Sequence, residues 1–255
     1  GVQIYMMPDL QEWKTDGNLT VNNFKEINIE DLLPRSEIKV DMEAIGEMLN
    51  DSTVLITGSA GSIGSEMVRQ IAVFRPRKMI LIDSAETPQH NIRLMMRERF
   101  PDVECNVIVV SIVQQDRMEH IISPAKPDYV FHAAAYKHVP MMEDNPSEAI
   151  YNNVLGTKII ADLSVKYGVK RFVMISTDKA VNPTNVMGCS KRLCEMYCQS
   201  LNSHQETTQF ITTRFGNVLG SNGSVIPIFE KQIKSGGPVT VTDPNIIRFF
   251  MLIPE

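Results

Sequence analysis

The chain has 255 residues, 43% of them hydrophobic and 22% charged, with a formal net charge of −5. That length and balance suit one globular domain, or one domain with a small lobe, and the charge gives no basis for binding nucleic acid or an anionic membrane surface. The apolar runs are too short to span a bilayer and no signal peptide is apparent. A first residue of Gly rather than Met leads us to expect a fragment or a processed product.

In chain order, residues 1–40 stand apart. Stretches 2–6 and 24–27 read as short strands without a core of their own, as at the edge of a preceding domain. Residues 41–49 predict a lead-in helix. Val54, Leu55 and Ile56 form an apolar run suited to a buried parallel strand. Gly58, Gly61 and Gly64 follow at G-x-x-G-x-x-G spacing, with Ser59, Ser62 and Ile63 between them. Lacking Cβ, the glycines let the chain turn sharply and let backbone approach a pyrophosphate, while residues 65–71 read as a helix whose N–H groups face that anion. A second strand, 79–82, ends in Asp83, about 20 residues past the last glycine, where a carboxylate accepts hydrogen bonds from an adenosine ribose. Such an acid favours the free 2′-hydroxyl of NAD and repels the 2′-phosphate of NADP. Ser84 follows it, with no arginine beside it.

A polar helix at 88–99 precedes a third strand at 107–110, which runs into Ser111 and Ile112. After a helix at 117–122, a fourth strand at 129–131 leads into His132-Ala133-Ala134-Ala135, small residues where backbone can meet a cofactor. Lys137 and His138 lie just beyond, placed to meet substrate or diphosphate. Pro146 opens a long helix that carries Asn153 and ends near Tyr167-Gly168. Strands at 171–175 and 210–213 flank a helix at 187–201. This alternation predicts an α/β fold, a Rossmann-type doubly wound parallel sheet. The expected organisation is a remnant of a preceding domain at 1–40, an NAD-binding domain with the catalytic residues at 41–215, and the start of a small, incomplete C-terminal substrate lobe at 216–255.

Cys105, Cys189, Cys194 and Cys198 include no C-x-x-C pair and no nearby histidine, so free thiols in a reducing compartment and no metal site are expected. Chemistry in an open parallel sheet collects at the carboxyl ends of strands. There the fifth strand ends in Ser176-Thr177-Asp178-Lys179, and Met187 and Lys191 follow, four apart on one helix face. Asp178 and Lys179 are neighbouring titratable groups at the strand mouth. To act as acid and base, Asp178 must be protonated and Lys179 neutral, so both pKa values must move towards working pH.

A hydroxyl at a strand end with a lysine on the next helix resembles the short-chain dehydrogenase/reductases, whose helix motif is Y-x-x-x-K; Met187 stands here at the tyrosine position. Five segments strengthen the resemblance: T-G-S-A-G-S-I-G at 57–64, H-A-A-A-Y-K-H-V-P at 132–140, N-N-V-L-G-T at 152–157, S-T-D-K-A-V-N-P-T-N-V-M-G at 176–188 and R-F-G-N-V-L-G-S at 214–221. In this order they resemble the nucleotide-sugar 4,6-dehydratases of bacterial polysaccharide biosynthesis, in the extended branch of that superfamily. The nearest resemblance is to large, membrane-anchored UDP-N-acetylglucosamine 4,6-dehydratases that also carry methionine for tyrosine. Their membrane segments and an extra domain lie upstream, and residues 1–40 resemble the tail of that region.

The resemblance implies an NAD-dependent enzyme that turns a UDP-sugar into a 4-keto-6-deoxy sugar. Thr177 would bond O4, Asp178 would be the acid at O6, Lys179 the base at C5, and Lys191 would hold the nicotinamide ribose. The O4 proton falls to Asp178 or a water, since Met187 cannot take it. Asn153 is implied as a structural or relay residue facing the site, and Asn217 and Arg248 as ligands of the nucleotide sugar and its diphosphate. Ser111 departs from the aspartate that family members commonly place near the adenine. The resemblance further implies a homo-oligomer built on the helices near 146–166 and 185–201, the cytoplasmic side of the membrane, and an inner-membrane anchor in the full-length protein. Two other readings stay open: a UDP-sugar 4-epimerase or reductase on the same fold, and a non-catalytic NAD-binding protein.

Overall fold

The computed structural model describes residues 5–6, 25–26, 41–221, 225–241, 243–245 and 247–253. The rest of the two N-terminal strand expectations lies outside the described residues. The chain divides between Lys39 and Val40. In the first part Tyr5–Met6 (β1) and Lys25–Glu26 (β2) pair antiparallel, Tyr5 opposite Glu26.

The second part begins with Met42–Leu49 (α1), whose N-terminus is capped by the Asp41 carboxylate accepting from the Ala44 N–H at 3.0 Å. Strands and helices then alternate: Thr53–Thr57 (β3), Ser62–Val73 (α2), Lys78–Asp83 (β4), Glu86–Arg99 (α3), Glu104–Val109 (β5), Gln115–Ala125 (α4) and Tyr129–His132 (β6). Two short helices follow, Val139–Asp144 (α5) and Pro146–Glu148 (α6), then a π-helical stretch Ala149–Leu155 and Gly156–Lys166 (α7). The chain continues through Arg171–Thr177 (β7), a 3-10 turn Asp178–Ala180, Val186–His204 (α8) and Gln209–Phe215 (β8). Asn217–Val218 (β9), Val225–Lys234 (α9) and Phe250–Met251 (β10) complete it, with β9 and β10 paired parallel apart from the main sheet.

The main sheet has six parallel strands in the order β5-β4-β3-β6-β7-β8. Val54, Leu55 and Ile56 are each 0% exposed, because β3 is central and covered on both faces. Leu55, Ile80 and Ile82 turn to a core shared with Met118 of α4, Ile160 of α7 and Cys194 of α8. Val54, Ile56, Met79 and Leu81 turn to a core with Leu49, Val68 and Ile92, from α1, α2 and α3. The period-two alternation thus feeds two cores. All four cysteines are free, and among the described residues no helix is long and apolar enough to cross a membrane.

Three features depart from the sequence reading. The third strand begins at Glu104, three residues earlier than the apolar run, because the backbone ladder with β4 runs from Lys78 opposite Glu104, where the two side chains also pair at 2.6 Å. Helix α5, with a proline in its first turn, precedes the helix read from Pro146 and has no counterpart in the sequence reading. The long helix from Pro146 is not a continuous α-helix, since residues 149–155 widen to a π-helix. That widening accompanies an inward-facing, buried Asn153 whose side chain bonds to another segment.

His132, at the end of β6, is 0% exposed and joins three elements. Its Nδ1 lies 2.7 Å from the Thr57 hydroxyl of β3 and its Nε2 lies 2.9 Å from the Thr157 hydroxyl of α7. Burial, and then the nearby positive charge of Lys191, push its pKa from the ordinary 6.5 down to about 3. The unfolded chain therefore takes up a proton below about pH 6.5 that the folded protein refuses. The stability carried by this neutral imidazole is complete at neutral pH and is lost as pH falls from 6.5 towards 3. Acidification from pH 7 to pH 5 is expected to cost about 2 kcal/mol through this group, read as a fall in the urea midpoint. His132→Gln is expected to be less stable at pH 7 and to lose that part of the pH dependence.

Candidate active site

A cleft of about 820 Å³ opens at the carboxyl ends of the strands. One wall is the turn between β3 and α2. Gly58 has φ +70°, and a Cβ there would come within 2.6 Å of the Ala134 N–H nitrogen; one at Gly64 would come within 1.9 Å of the Gly58 carbonyl oxygen. Only hydrogen fits at either place. Helix α2 starts without a side-chain cap, and Ser62, Ile63 and Gly64 of its first turn line the cleft together with Gly58 and Gly61. A helix N-terminus of this kind receives a phosphate. Ser59 is different: its buried hydroxyl donates to Gln89 at 2.9 Å, so its side chain serves the turn and not the cleft.

Asp83 ends β4 beside this turn. One carboxylate oxygen accepts the Ala60 N–H at 3.0 Å and the other accepts the Ala85 N–H at 2.9 Å. The acid is thereby oriented by the glycine turn itself, with lone pairs left on both oxygens. Ser84 is exposed next to it, and Ser111 is half-buried after β5. The side chain of Ile112 points into the core, where a Cβ on Gly156 would come within 2.4 Å of it, so it offers nothing to the cleft. Ala133 and Ala135 line the cleft, while Ala134 packs against the core between them.

The other wall carries polar and titratable side chains. Thr177, Lys179, Met187 and Lys191 line it, and Lys137, His138 and Asn217 line the cleft as well. Asp178 is not a lining residue. Its Oδ1 accepts the Thr177 hydroxyl at 2.8 Å and the Lys179 ammonium at 3.0 Å, so it stands beside both groups that are. The sequence argument needed Asp178 shifted upwards, and the structure gives the opposite. Burial raises its pKa, but the hydrogen bonds from Thr177 and Lys179 and the Lys179 charge outweigh this and hold it below the usual range. The carboxylate is ionised in the free protein. Lys191 is 5% exposed, and burial lowers its pKa. Burial lowers that of Lys137 also.

Two expected substrate ligands stand elsewhere. Asn153 is 1% exposed and does not line the cleft: its Oδ1 accepts the Tyr136 N–H at 2.8 Å, and its Nδ2 donates to the Tyr136 carbonyl at 3.1 Å and to the Ser190 hydroxyl at 2.9 Å. These bonds occupy the amide, so Asn153 clamps the loop after β6 to α8. Arg248 is exposed and outside the cleft lining. Met187 is 3% exposed and packs with Met142 and Ala149, filling the tyrosine position with an apolar side chain. The sequence reading did not single out Tyr136, Met142, Glu148, Ser176 or Phe215, which also line the cleft. Tyr136 and Ser176 fall inside the motifs quoted for the family, whereas Met142 and Glu148 come from the short helices α5 and α6.

The uncapped helix, the glycine turn that excludes any Cβ and the buried Lys191 side chain lining the cleft all fit a dinucleotide. Fold and cleft together define a Rossmann-type dinucleotide-binding protein. The chain belongs to the family described as polysaccharide biosynthesis protein, whose model matches residues 54–255. It is 48% identical over 256 residues to the capsular polysaccharide biosynthesis protein CapD of Staphylococcus aureus, covering 100% of this chain and 43% of CapD. It is 39% identical to a UDP-glucose 4-epimerase of Rickettsia canadensis, covering 82% of this chain and 61% of that protein. It is 33% identical to an inverting UDP-N-acetylglucosamine 4,6-dehydratase of Campylobacter jejuni, covering 82% and 62%. Among solved structures, Pen from Bacillus thuringiensis superposes with a TM-score of 0.75 at 34% identity, covering 80% of this chain and 64% of Pen. WbmG from Bordetella bronchiseptica, in complex with NAD, does so with a TM-score of 0.60 at 25% identity, covering 73% and 61%. The chain spans less than two thirds of the length of each of these proteins.

Replacing Asn153 by Ala removes the partner of the Tyr136 N–H and one partner of Ser190. The variant is expected to lose about 1–3 kcal/mol in urea unfolding. It is also expected to lose hydrogen-exchange protection at the Tyr136 amide. An unchanged exchange rate there would show that the clamp does not hold the loop.

Proposed function

We propose that the chain is the NAD-binding and catalytic part of a nucleotide-sugar 4,6-dehydratase acting on a UDP-sugar, in the first place UDP-N-acetylglucosamine, for surface polysaccharide synthesis. One observation carries this reading: Thr177, Asp178 and Lys179 form a hydrogen-bonded acid–base cluster at the mouth of β7, and Thr177 and Lys179 line the same cleft as Lys191. A 4-epimerase needs hydride transfer at C4 and no acid–base pair for C5 and C6. The glycine turn would hold the diphosphate of NAD, Asp83 its adenosine ribose and Lys191 its nicotinamide ribose. When bound, NAD takes up the C4 hydride of the sugar and supplies it at C6.

The lowered pKa of Asp178 gives it a role in both proton steps. As a carboxylate it accepts the O4 proton, passed through the Thr177 hydroxyl that already donates to it. Met187, with no exchangeable proton, takes no part. The C5 step needs Lys179 as the neutral amine, its ammonium proton given to solvent. Neutral Lys179 then takes the C5 proton. The C5–H electron pair forms the C5–C6 double bond, the C6–O bond breaks, and the hydroxyl leaves as water with the proton from Asp178. Lys179 afterwards returns its proton to C5 and takes back from solvent the one it gave up, so the protons balance.

The same reading puts the full-length protein at the cytoplasmic face of a membrane. It takes the exposed apolar side chains of Ile150 and Tyr151, with Leu193 and Met196 of α8, as the contact between two copies of the chain. A second reading, a UDP-sugar 4-epimerase, is favoured by the 39% identical relative of that name. Incubation with NAD and UDP-N-acetylglucosamine separates them by mass: the dehydratase product has lost one water, and an epimer has not. Asp178→Asn is expected to reduce formation of the 4-keto-6-deoxy product by about 100-fold or more. Full dehydration by that variant would remove Asp178 from both proton steps.

A further inference from the structure

Glu195 lies on α8 one helical turn beyond Lys191, on the same face. Its carboxylate is 0% exposed and both oxygens are engaged. Oε1 accepts the Ser176 hydroxyl at 2.6 Å and the Arg214 Nε–H at 2.7 Å. Oε2 accepts from Arg214 Nη2 and, at 3.0 Å, from Arg192 Nη1. One side chain thus ties α8 to β8 and to the residue that precedes Thr177 on β7. Burial raises the pKa of Glu195, yet the bonds from Arg214, Ser176 and Arg192 carry it down to about 2. This buried carboxylate is ionised at every working pH, and the mechanism given above does not use it.

Lys191 is the titratable group one turn before Glu195 on that helix face. Burial lowers its pKa, and Cys194, Cys198 and Glu195, all on α8, oppose that shift. The two thiols are uncharged, since burial raises both, Cys198 to about 12. Glu195 is the ionised member of the three. From β6, His132 faces Lys191 as a neutral ring. The mouth of β7 presents Lys179, paired with Asp178. Arg192 and Arg214 pair with the Glu195 carboxylate, with side chains 40% and 37% exposed.

We propose that Glu195 is a positioning residue of the cleft: it braces the helix that carries Lys191 against the strand end that carries Thr177, and its charge keeps Lys191 as the ammonium that lines the cleft. The catalytic consequence rests on the dehydratase reading; the coupling of Glu195 to Lys191 stands without it. The titration of Lys191 is read by NMR of the free protein with ¹³C-labelled lysine, its signal assigned by its absence in Lys191→Met. Removing the negative charge in Glu195→Gln is expected to lower the pH at which Lys191 titrates by about one unit. The alkaline limb of kcat, where Lys191 loses its proton, should move down with it, and Glu195→Asp should restore both. Arg214→Gln removes a positive charge instead and should move the titration upwards, which keeps the test decisive if Glu195→Gln does not fold. A purely mechanical brace would lower kcat at all pH values and leave the titration in place. Titration unmoved in the variants that fold overturns the proposal. A wild-type protein that does not dehydrate the UDP-sugar overturns the dehydratase reading while the NMR result still decides the coupling.

Discussion

The site depends on where the sheet reverses its direction of growth. From β3 the chain builds outward through β4 and β5, then crosses back to lay β6 on the other side of β3. The helices that follow β3 and β6 must cover opposite faces, so the loops leaving these two neighbouring strands diverge and leave a gap. Backbone-to-backbone contact sets how narrow that gap begins. Gly58 sits against the peptide between Ala133 and Ala134 with no room for a Cβ, and Gly64 sits equally close to the Gly58 carbonyl. A diphosphate can then be met by N–H groups on one wall while side chains from β7 and α8 supply the other.

Three buried polar side chains hold the second wall to the first, and each works differently. His132 is neutral and bridges hydroxyls on β3 and α7. Asn153 uses both ends of its amide on one backbone unit of the loop after β6 and reaches the residue before Lys191. Glu195 is charged and surrounded by donors from β7, β8 and its own helix. Apolar packing could hold α7 and α8 on the sheet, as Ile160 and Cys198 do, but it is non-directional and leaves sliding along the helix axis inexpensive. The hydrogen bonds remove that freedom, because a slip of even one residue would strand a buried polar group. Residues facing the cleft are therefore fixed in depth as well as in direction.

The sheet was legible because its strands announce themselves locally. Runs such as 54–56 and 79–82 are apolar at every position, which is what burial on both faces requires, and glycine and proline punctuate the helices between them. The glycine turn and Asp83 could be paired in advance for the same reason: both sit at ends of strands whose registry is set by parallel pairing. What stayed hidden was anything that depends on contact between distant segments. The π-helix at 149–155 leaves no periodic signature that an α-helix lacks, and Asn153 reads as a structural or relay residue facing the site until its partner Tyr136, 17 positions away, is known. Ile112 and Ser59 flank strand ends like cofactor ligands, but their side chains turn inward. Glu195 had one available signal, its place four residues after Lys191 on the same helix face, and nothing in the chain showed that Ser176 and Arg214 would converge on it.

Met187 bears most directly on the chemistry. A phenol at that position would offer the proton acceptor for sugar oxidation four residues ahead of its lysine. Here the position holds a thioether packed against Met142 and Ala149, and the Thr177 hydroxyl, which lines the same cleft, is already bonded to a carboxylate. An acceptor must be unprotonated before the reaction starts, and the bonds from Thr177 and Lys179 that depress Asp178 keep it so. In the proposed dehydration, the donor needed later, when water leaves, would be that same carboxyl after it has taken the proton. The feature that argues against Asp178 as a resting acid thus fits a group loaded by the first half of the reaction and emptied by the second. An epimerase, which returns hydride to the carbon it came from, would send the O4 proton straight back and would have no use for a lysine bonded to the same oxygen.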